Sequence, residues 1–202
     1  QKSSNVGSSK IALLMQPQTL WQMFDEVGFG RPPQSGFPGE ASGRVRPYKT
    51  WKPIEQATMS YGHGISLSLM QLARAYTIFT NDGELKPVSF MRLDQPLPGK
   101  QVIRPDTAHK MRDMLMTVTQ PGGTAPRAQV LGFNVGGKTG TAHKQEGRGY
   151  AASKYISSFV GFAPATRPRL IVAVMIDEPQ GQYYGGTVAG PVFSAVMSGS
   201  LR

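Results

Sequence analysis

The chain has 202 residues, 39% of them hydrophobic and 17% charged, a globular composition long enough for one well-buried domain or two small ones. It has no cysteine, which excludes thiol catalysis, a disulfide framework and thiolate metal sites. The net charge of +10 comes from scattered basic residues, with no five-residue basic run and no zinc-finger or RNP-type motif, so a solvated basic surface accounts for it better than a nucleic-acid footprint, and attraction to an acidic substrate or an anionic membrane surface is a third reading.

The opening Ser/Asn cluster and the apolar residues 11–15 predict a short helix capped by Ser4 or Asn5. A second helix is predicted over residues 18–27, with Leu20, Phe24 and Val27 on one face and Gly28 as its stop. Residues 28–56 are rich in glycine and proline and read as one long irregular excursion, of the kind that covers or serves a site. Ile65, Leu69, Leu72, Tyr76 and Phe79 recur at helical spacing and predict a helix from about residue 65 to 80, ended by Asn81-Asp82-Gly83. A further helix starts at Pro105-Asp106 and buries Ala108, Met111, Leu115 and Val118. The last third changes character. Residues 133–143, 155–162 and 170–177 read as strands of an antiparallel meander, and residues 191–197 as a final helix with Pro191 in its first turn. The longest apolar run, residues 170–176, is too short to span a bilayer and fits a buried strand. The chain opens on Gln1 with no signal-peptide pattern and reads as beginning in mid-protein.

Two short motifs could carry chemistry. Lys138-Thr139-Gly140-Thr141 falls on a predicted strand, where Gly140 permits close backbone approach. Alternation puts Thr139, Thr141 and His143 on one face, with hydroxyls spaced to grip a carboxylate and Lys138 adding positive charge. An exposed edge there would accept an extended peptide as an added strand. Alone, the triplet is equally well explained as a polar edge strand, and Ser3-Ser4-Asn5 alone as a helix cap.

Together they point further. Penicillin-recognising serine acyltransferases use Ser-x-x-Lys, Ser-x-Asn and Lys-Thr-Gly. The second and third occur here in that order, with Lys-Thr-Gly on a strand. The chain resembles the transpeptidase domain of class B penicillin-binding proteins, the septal type in particular. Further landmarks are Ser3-Ser4-Asn5-Val6-Gly7, Gly36-Phe37-Pro38-Gly39-Glu40, Tyr61-Gly62-His63-Gly64, Gly122-Gly123-Thr124, Gly161-Phe162-Ala163-Pro164, Tyr183-Tyr184-Gly185-Gly186 and Gly190-Pro191-Val192-Phe193. They span nearly the whole chain in order.

The resemblance implies an α+β fold of the penicillin-binding/β-lactamase-like transpeptidase type. All 202 residues would belong to that domain, with about 1–130 mainly helical and about 131–202 supplying sheet strands and a final helix. The cleft would lie between these portions, with Ser3-Ser4-Asn5 facing an edge strand at Lys138. The implied reaction is peptidoglycan D,D-transpeptidation: a serine attacks the carbonyl between two terminal D-alanines of a stem peptide, and an amine from a neighbouring stem resolves the ester. β-Lactams would mimic the donor as covalent inhibitors.

Residue by residue, the resemblance gives Ser3 a place in the proton network near the nucleophile, and Asn5 a hold on the substrate amide. Lys138 would support proton transfer and anion binding. The hydroxyls of Thr139 and Thr141, flanking Gly140, would bind the donor carboxylate, and the Thr141 N–H would form half of the oxyanion hole. Tyr155, Tyr183 and Tyr184 match aromatic positions lining the cleft. His143 stands where septal relatives often carry Arg, and His63 where they often carry Tyr.

No Ser-x-x-Lys occurs in the 202 residues, so the nucleophile is expected upstream of Gln1, with a degenerate non-catalytic paralogue as the alternative. No cofactor is implied, and the three histidines show no metal-ligand spacing. A Ser-His-Asp hydrolase lacks its Gly-x-Ser-x-Gly elbow, and a class A β-lactamase its Glu-x-x-Leu-Asn segment. A non-enzymatic penicillin sensor is the rival from another class. The expected partners are stem peptides, β-lactams and cell-division membrane proteins, with no nucleic acid. The expected location is the periplasmic face of the bacterial inner membrane, anchored by an upstream transmembrane helix.

Overall fold

Capping residues decide where the first helices start. Ser4, in extended conformation, turns its hydroxyl oxygen to accept the Gly7 N–H at 3.0 Å, and α1 (Asn5–Leu13) begins behind it. α2 (Pro17–Glu26) opens on a proline, whose missing N–H costs nothing in the first turn. These elements come from a computed structural model that describes residues 1–147 and 149–202. The chain forms two units, one of Ser3–Ala75 and Leu85–Val102, the other of Gln1–Lys2, Tyr76–Glu84 and Ile103–Arg202.

In the first unit the glycine- and proline-rich excursion is shorter than predicted. Tyr48–Thr50 forms a 3-10 turn, and α3 (Pro53–Met59) is a helix. Pro53, read in sequence as a turn former, occupies the first helical turn, and the Glu55 carboxylate accepts the Lys52 N–H at 2.7 Å. The irregular part is stapled by side chains. Gln71, 2% exposed, donates from its amide to the carbonyls of Arg31 and Ser42, both at 2.8 Å, and accepts the Ser68 N–H at 2.7 Å. The Glu40 carboxylate accepts the N–H groups of Gln34 and Ser35, at 2.9 and 2.7 Å, and the Ser35 hydroxyl. Arg74 donates to the Pro33 carbonyl at 3.4 Å and to the Lys86 carbonyl at 3.1 Å.

The helix predicted from about residue 65 to 80 is two helices, α4 (Leu69–Ala75) and α5 (Thr77–Thr80). Residues 65–68 are not helical, because Ser66 pairs antiparallel with Arg44. Only glycine fits at position 43, where a Cβ would lie 2.1 Å from the Ser66 carbonyl oxygen. The predicted stop holds, with Asp82 and Gly83 both at positive φ. Two short strands, β1 (Glu84–Leu85) and β2 (Lys100–Gln101), pair with each other.

The second unit has three layers. β3 (Gly136–Glu146), β4 (Gly149–Ala163) and β5 (Leu170–Asp177) form an antiparallel sheet in the order β3-β4-β5, the predicted meander. Alternation along β4 sends Phe159 and Phe162, both fully buried, to opposite faces. Phe159 meets Phe193 of α7 (Gly185–Ser200) edge-on at 4.8 Å, in a core with Val135, Ala189 and Met197. Phe162 packs with Leu115 of α6 (Pro105–Met116), Ala165, Tyr76 and Phe79. Each such aromatic contributes about 1.5–3 kcal/mol by leaving water. The architecture is α+β. No helix of the described residues is long and apolar enough to cross a membrane.

The final helix corrects the sequence reading. It starts at Gly185, six residues earlier than predicted, so Pro191 lies inside it. Gly185 and Gly186 are not turn residues but a place of close approach. A Cβ on Gly185 would lie 2.4 Å from the carbonyl oxygens of Gly140 and Ser158, and one on Gly186 would lie 2.0 Å from that of Thr124. Pro191 removes the helical N–H that would bond the Thr187 carbonyl, and the Arg127 guanidinium donates to that oxygen instead, at 3.3 Å.

Candidate active site

β3 stands at one end of the three-stranded sheet, with β4 on one side, and among the described residues no strand pairs with its other side. Gly136 and Gly137 let it lie close on β4, since a Cβ at either would meet the Phe162 or Phe159 ring at 2.5 Å. Lys138 follows, half-buried, opposite Val160. Its ammonium donates to the Thr139 carbonyl at 3.0 Å. Burial disfavours the charged form and holds the Lys138 pKa below its ordinary 10.5.

The two threonines lie beside the start of α7. Thr139 Oγ1 donates to Thr124 Oγ1 at 3.4 Å, and the Thr124 carbonyl is the one packed against Gly186. Thr141, exposed and opposite Ser157, accepts the Gly185 N–H on its Oγ1 at 3.0 Å. That bond occupies a lone pair of the hydroxyl and leaves its proton to be donated outward. An anion arriving at Thr141 would therefore meet a donor already oriented by the first turn of a helix, where the macrodipole is positive.

Past Thr141 the same edge carries a row of rings. His143 lies 4.5 Å from Tyr155, centroid to centroid, Tyr155 stacks on Tyr183 at 4.0 Å with planes 10° apart, and Tyr183 lies 4.6 Å from Tyr184. Nδ1 of His143 donates to the Ala151 carbonyl at 3.0 Å. The Ser157 hydroxyl donates to the Tyr183 carbonyl. Tyr184 is 58% exposed, and its hydrogen bond with the Tyr183 hydroxyl, then the charge of Tyr183, raises its pKa above the ordinary 10.0. Lys138, Thr139, Gly140, Thr141, His143, Tyr155, Tyr183 and Tyr184, singled out in sequence, thus come together in one unit.

Ser3, Asn5 and His63 belong to the other unit. Ser3 has φ 53, a left-handed conformation uncommon outside glycine. Asn5 is the exposed first residue of α1 behind the Ser4 cap. His63 is exposed on a turn after α3, between Gly62 and Gly64, both at positive φ, and its N–H bonds the Thr58 carbonyl at 3.1 Å.

Sequence reading missed several residues that shape the edge: Thr124 and Gly185 beside the threonines, Ser157 behind Tyr183, and Lys144, whose ammonium bridges Asp177 and Glu178. The Gly122-Gly123-Thr124 and Tyr184-Gly185-Gly186 clusters were visible as landmarks, but nothing local shows that they meet β3.

The chain is similar to known proteins over nearly its whole length. The chain is 53% identical over 203 residues to the probable peptidoglycan D,D-transpeptidase PenA of Neisseria flavescens, covering all of this chain and 51% of that protein. It is 40% identical over 203 residues to the peptidoglycan D,D-transpeptidase FtsI of Escherichia coli K12, covering all of this chain and 34% of that one. The chain therefore spans about half or less of the length of these curated relatives. The apo structure of the TP domain of Burkholderia pseudomallei penicillin-binding protein 3 superimposes with a TM-score of 0.93 at 54% identity, over 98% of this chain and 61% of that one. Residues 1–198 match the penicillin binding protein transpeptidase domain. The chain belongs to the family of penicillin-binding protein transpeptidase domains.

Proposed function

We propose that this chain is the substrate-binding part of a serine D,D-transpeptidase that cross-links peptidoglycan stem peptides at the division septum and is acylated by β-lactams. The observation that carries the reading is the β3 edge. A half-buried lysine with a lowered pKa precedes a threonine hydroxyl whose lone pair is already engaged, on an edge strand that pairs with no further strand among the described residues and so suits an extended peptide.

In this reading Thr141 donates to the donor carboxylate, Thr139 joins it by turning its hydroxyl proton from Thr124, and the Thr141 N–H stabilises charge that develops on the attacked carbonyl. Lys138 holds the anion and supports proton transfer, Ser3 belongs to the proton network near the nucleophile, and Asn5 holds the substrate amide. His143, Tyr155, Tyr183 and Tyr184 line the path of the bound side chain, and His63 contacts substrate from the Gly62–Gly64 turn. The attacking serine lies outside these 202 residues, which contain no Ser-x-x-Lys. We place the whole protein at the periplasmic face of the inner membrane, held by an anchor outside this sequence and working with other division proteins.

The test uses the full-length protein. Fluorescent penicillin should label it covalently, and a reconstituted assay with lipid-linked stem peptides should yield cross-linked product. Labelling without cross-linking would favour a penicillin sensor, and absence of both would end the enzymatic reading.

A further inference from the structure

The segment that carries Tyr183 and Tyr184 leaves β5 at Asp177 and enters α7 at Gly185. It starts on two adjacent acids. Asp177 pairs with Ile156 of β4, and Glu178 takes φ 50 while its N–H bonds the Tyr155 carbonyl at 2.9 Å. Neighbouring carboxylates repel each other, and a left-handed glutamate carries a backbone cost, so this start needs a partner to hold it.

Lys144 is that partner. Its ammonium lies 2.7 Å from Asp177 Oδ2 and 2.9 Å from Glu178 Oε1. The two carboxylates, Asp177 first and Glu178 next, push the Lys144 pKa up to about 12. The β3–β4 register shifts between His143 and Gln145, which puts Lys144 at a bulge. The extra residues of the bulge lie on β4, where residues 151–154 stand opposite Lys144 alone, and strand alternation sends the side chains of His143 and Lys144 to different partners. His143 meets Tyr155, and Lys144 reaches past β4 to the end of β5. The nearby Lys154–Glu146 pair, at 2.9 Å, ties β4 to β3 instead. At its far end the segment is held by the Ser157 hydroxyl on the Tyr183 carbonyl and by Gly185 on Thr141.

We propose that Lys144 is a positioning residue for substrate recognition: by clamping Asp177 and Glu178 it fixes residues 178–184, so that Tyr183 stacks on Tyr155 and Tyr184 stands next to the Thr141 edge. The recognition half of this statement rests on the transpeptidase reading above. The positioning half rests on geometry alone.

The experiment compares full-length wild type, Lys144→Met and Lys144→Arg in two measurements. The first is amide hydrogen exchange of residues 178–184 by mass spectrometry. Loss of the clamp should speed exchange about tenfold in Lys144→Met, while Lys144→Arg, whose fork also spans two carboxylates, should stay near wild type. The second is the acylation rate with benzylpenicillin and with its acetamido analogue, which lacks the phenyl ring. Lys144→Met should slow benzylpenicillin about fivefold, the scale of one lost aromatic contact, and leave the analogue within about twofold. In a Tyr183→Ala background Lys144→Met should have no further effect on benzylpenicillin, because the ring it positions is gone. Unchanged exchange in Lys144→Met would overturn the proposal whatever the acylation rates. Equal slowing of both penicillins that persists in the Tyr183→Ala background would overturn it too, as a general structural defect. Failure of the wild type to react with either penicillin would sink the transpeptidase reading, while the exchange measurement would still decide the clamp.

Discussion

The Thr141 side chain serves the fold and the proposed chemistry at one atom. It accepts a helix N–H and keeps its proton for a ligand. Thr141→Ser preserves both functions and should leave thermal stability within about 0.5 kcal/mol. Thr141→Val leaves the Gly185 N–H without its acceptor and should cost about 1–3 kcal/mol in the same melting experiment. Lys138 has a pH signature. Burial favours its neutral form, so the limb of the acylation–pH profile that follows its ionisation should lie below the ordinary lysine value of 10.5. A limb at or above 10.5 in full-length enzyme, absent from Lys138→Ala, would contradict that placement. Sequence exposed Lys138 and Thr141 because their motif is local and contiguous. It concealed Ser157 and Lys144, because Ser157 matters only through its hydroxyl on the distant Tyr183 carbonyl, and Lys144 only through residues two strands away.

Among the elements, α7 and the stapled loop carry the sharpest consequences. Gly185→Ala places a methyl group 2.4 Å from backbone oxygens of both β3 and β4, so the helix must move off the strand that holds Thr141. The expected loss is about 1–3 kcal/mol of stability, read by thermal melting, together with slower acylation. Gln71→Ala strips the Arg31 and Ser42 carbonyls and the Ser68 N–H of their partner, and should cost about 3 kcal/mol. Glu40 explains the acidic landmark in Gly36-Phe37-Pro38-Gly39-Glu40 as a staple. The Ser35 hydroxyl first, then the N–H groups of Ser35 and Gln34, hold its pKa below the ordinary 4.5. A carboxylate with a depressed native pKa stabilises fully above its unfolded value and loses that contribution as pH falls through the native one. Exchange protection of residues 34–40 should therefore persist down to about pH 4.5 and collapse below it, and should be lost at all pH values in Glu40→Gln. The strands and the helix at Pro105 were legible from period and punctuation. α3 and the start of α7 were not, because Pro53, Gly185 and Gly186 look like turn formers until packing shows a first helical turn and a close approach.

For the molecule as a whole, the fold and family were readable because landmarks run in order through almost the entire chain, and residues 1–198 match the family domain. The edge position of β3 was expected from sequence, but sequence could not supply which helix covers each face of the sheet, α7 over Phe159 and α6 over Phe162. The central claim is that this edge, with Lys138 at its head, binds and helps activate the acyl donor. The most direct test is the acylation rate of full-length Lys138→Ala with fluorescent penicillin, alongside its melting temperature. A fall of about a thousandfold or more with melting unchanged is expected for a residue that acts in proton transfer and anion binding. Labelling at near the wild-type rate would contradict the claim.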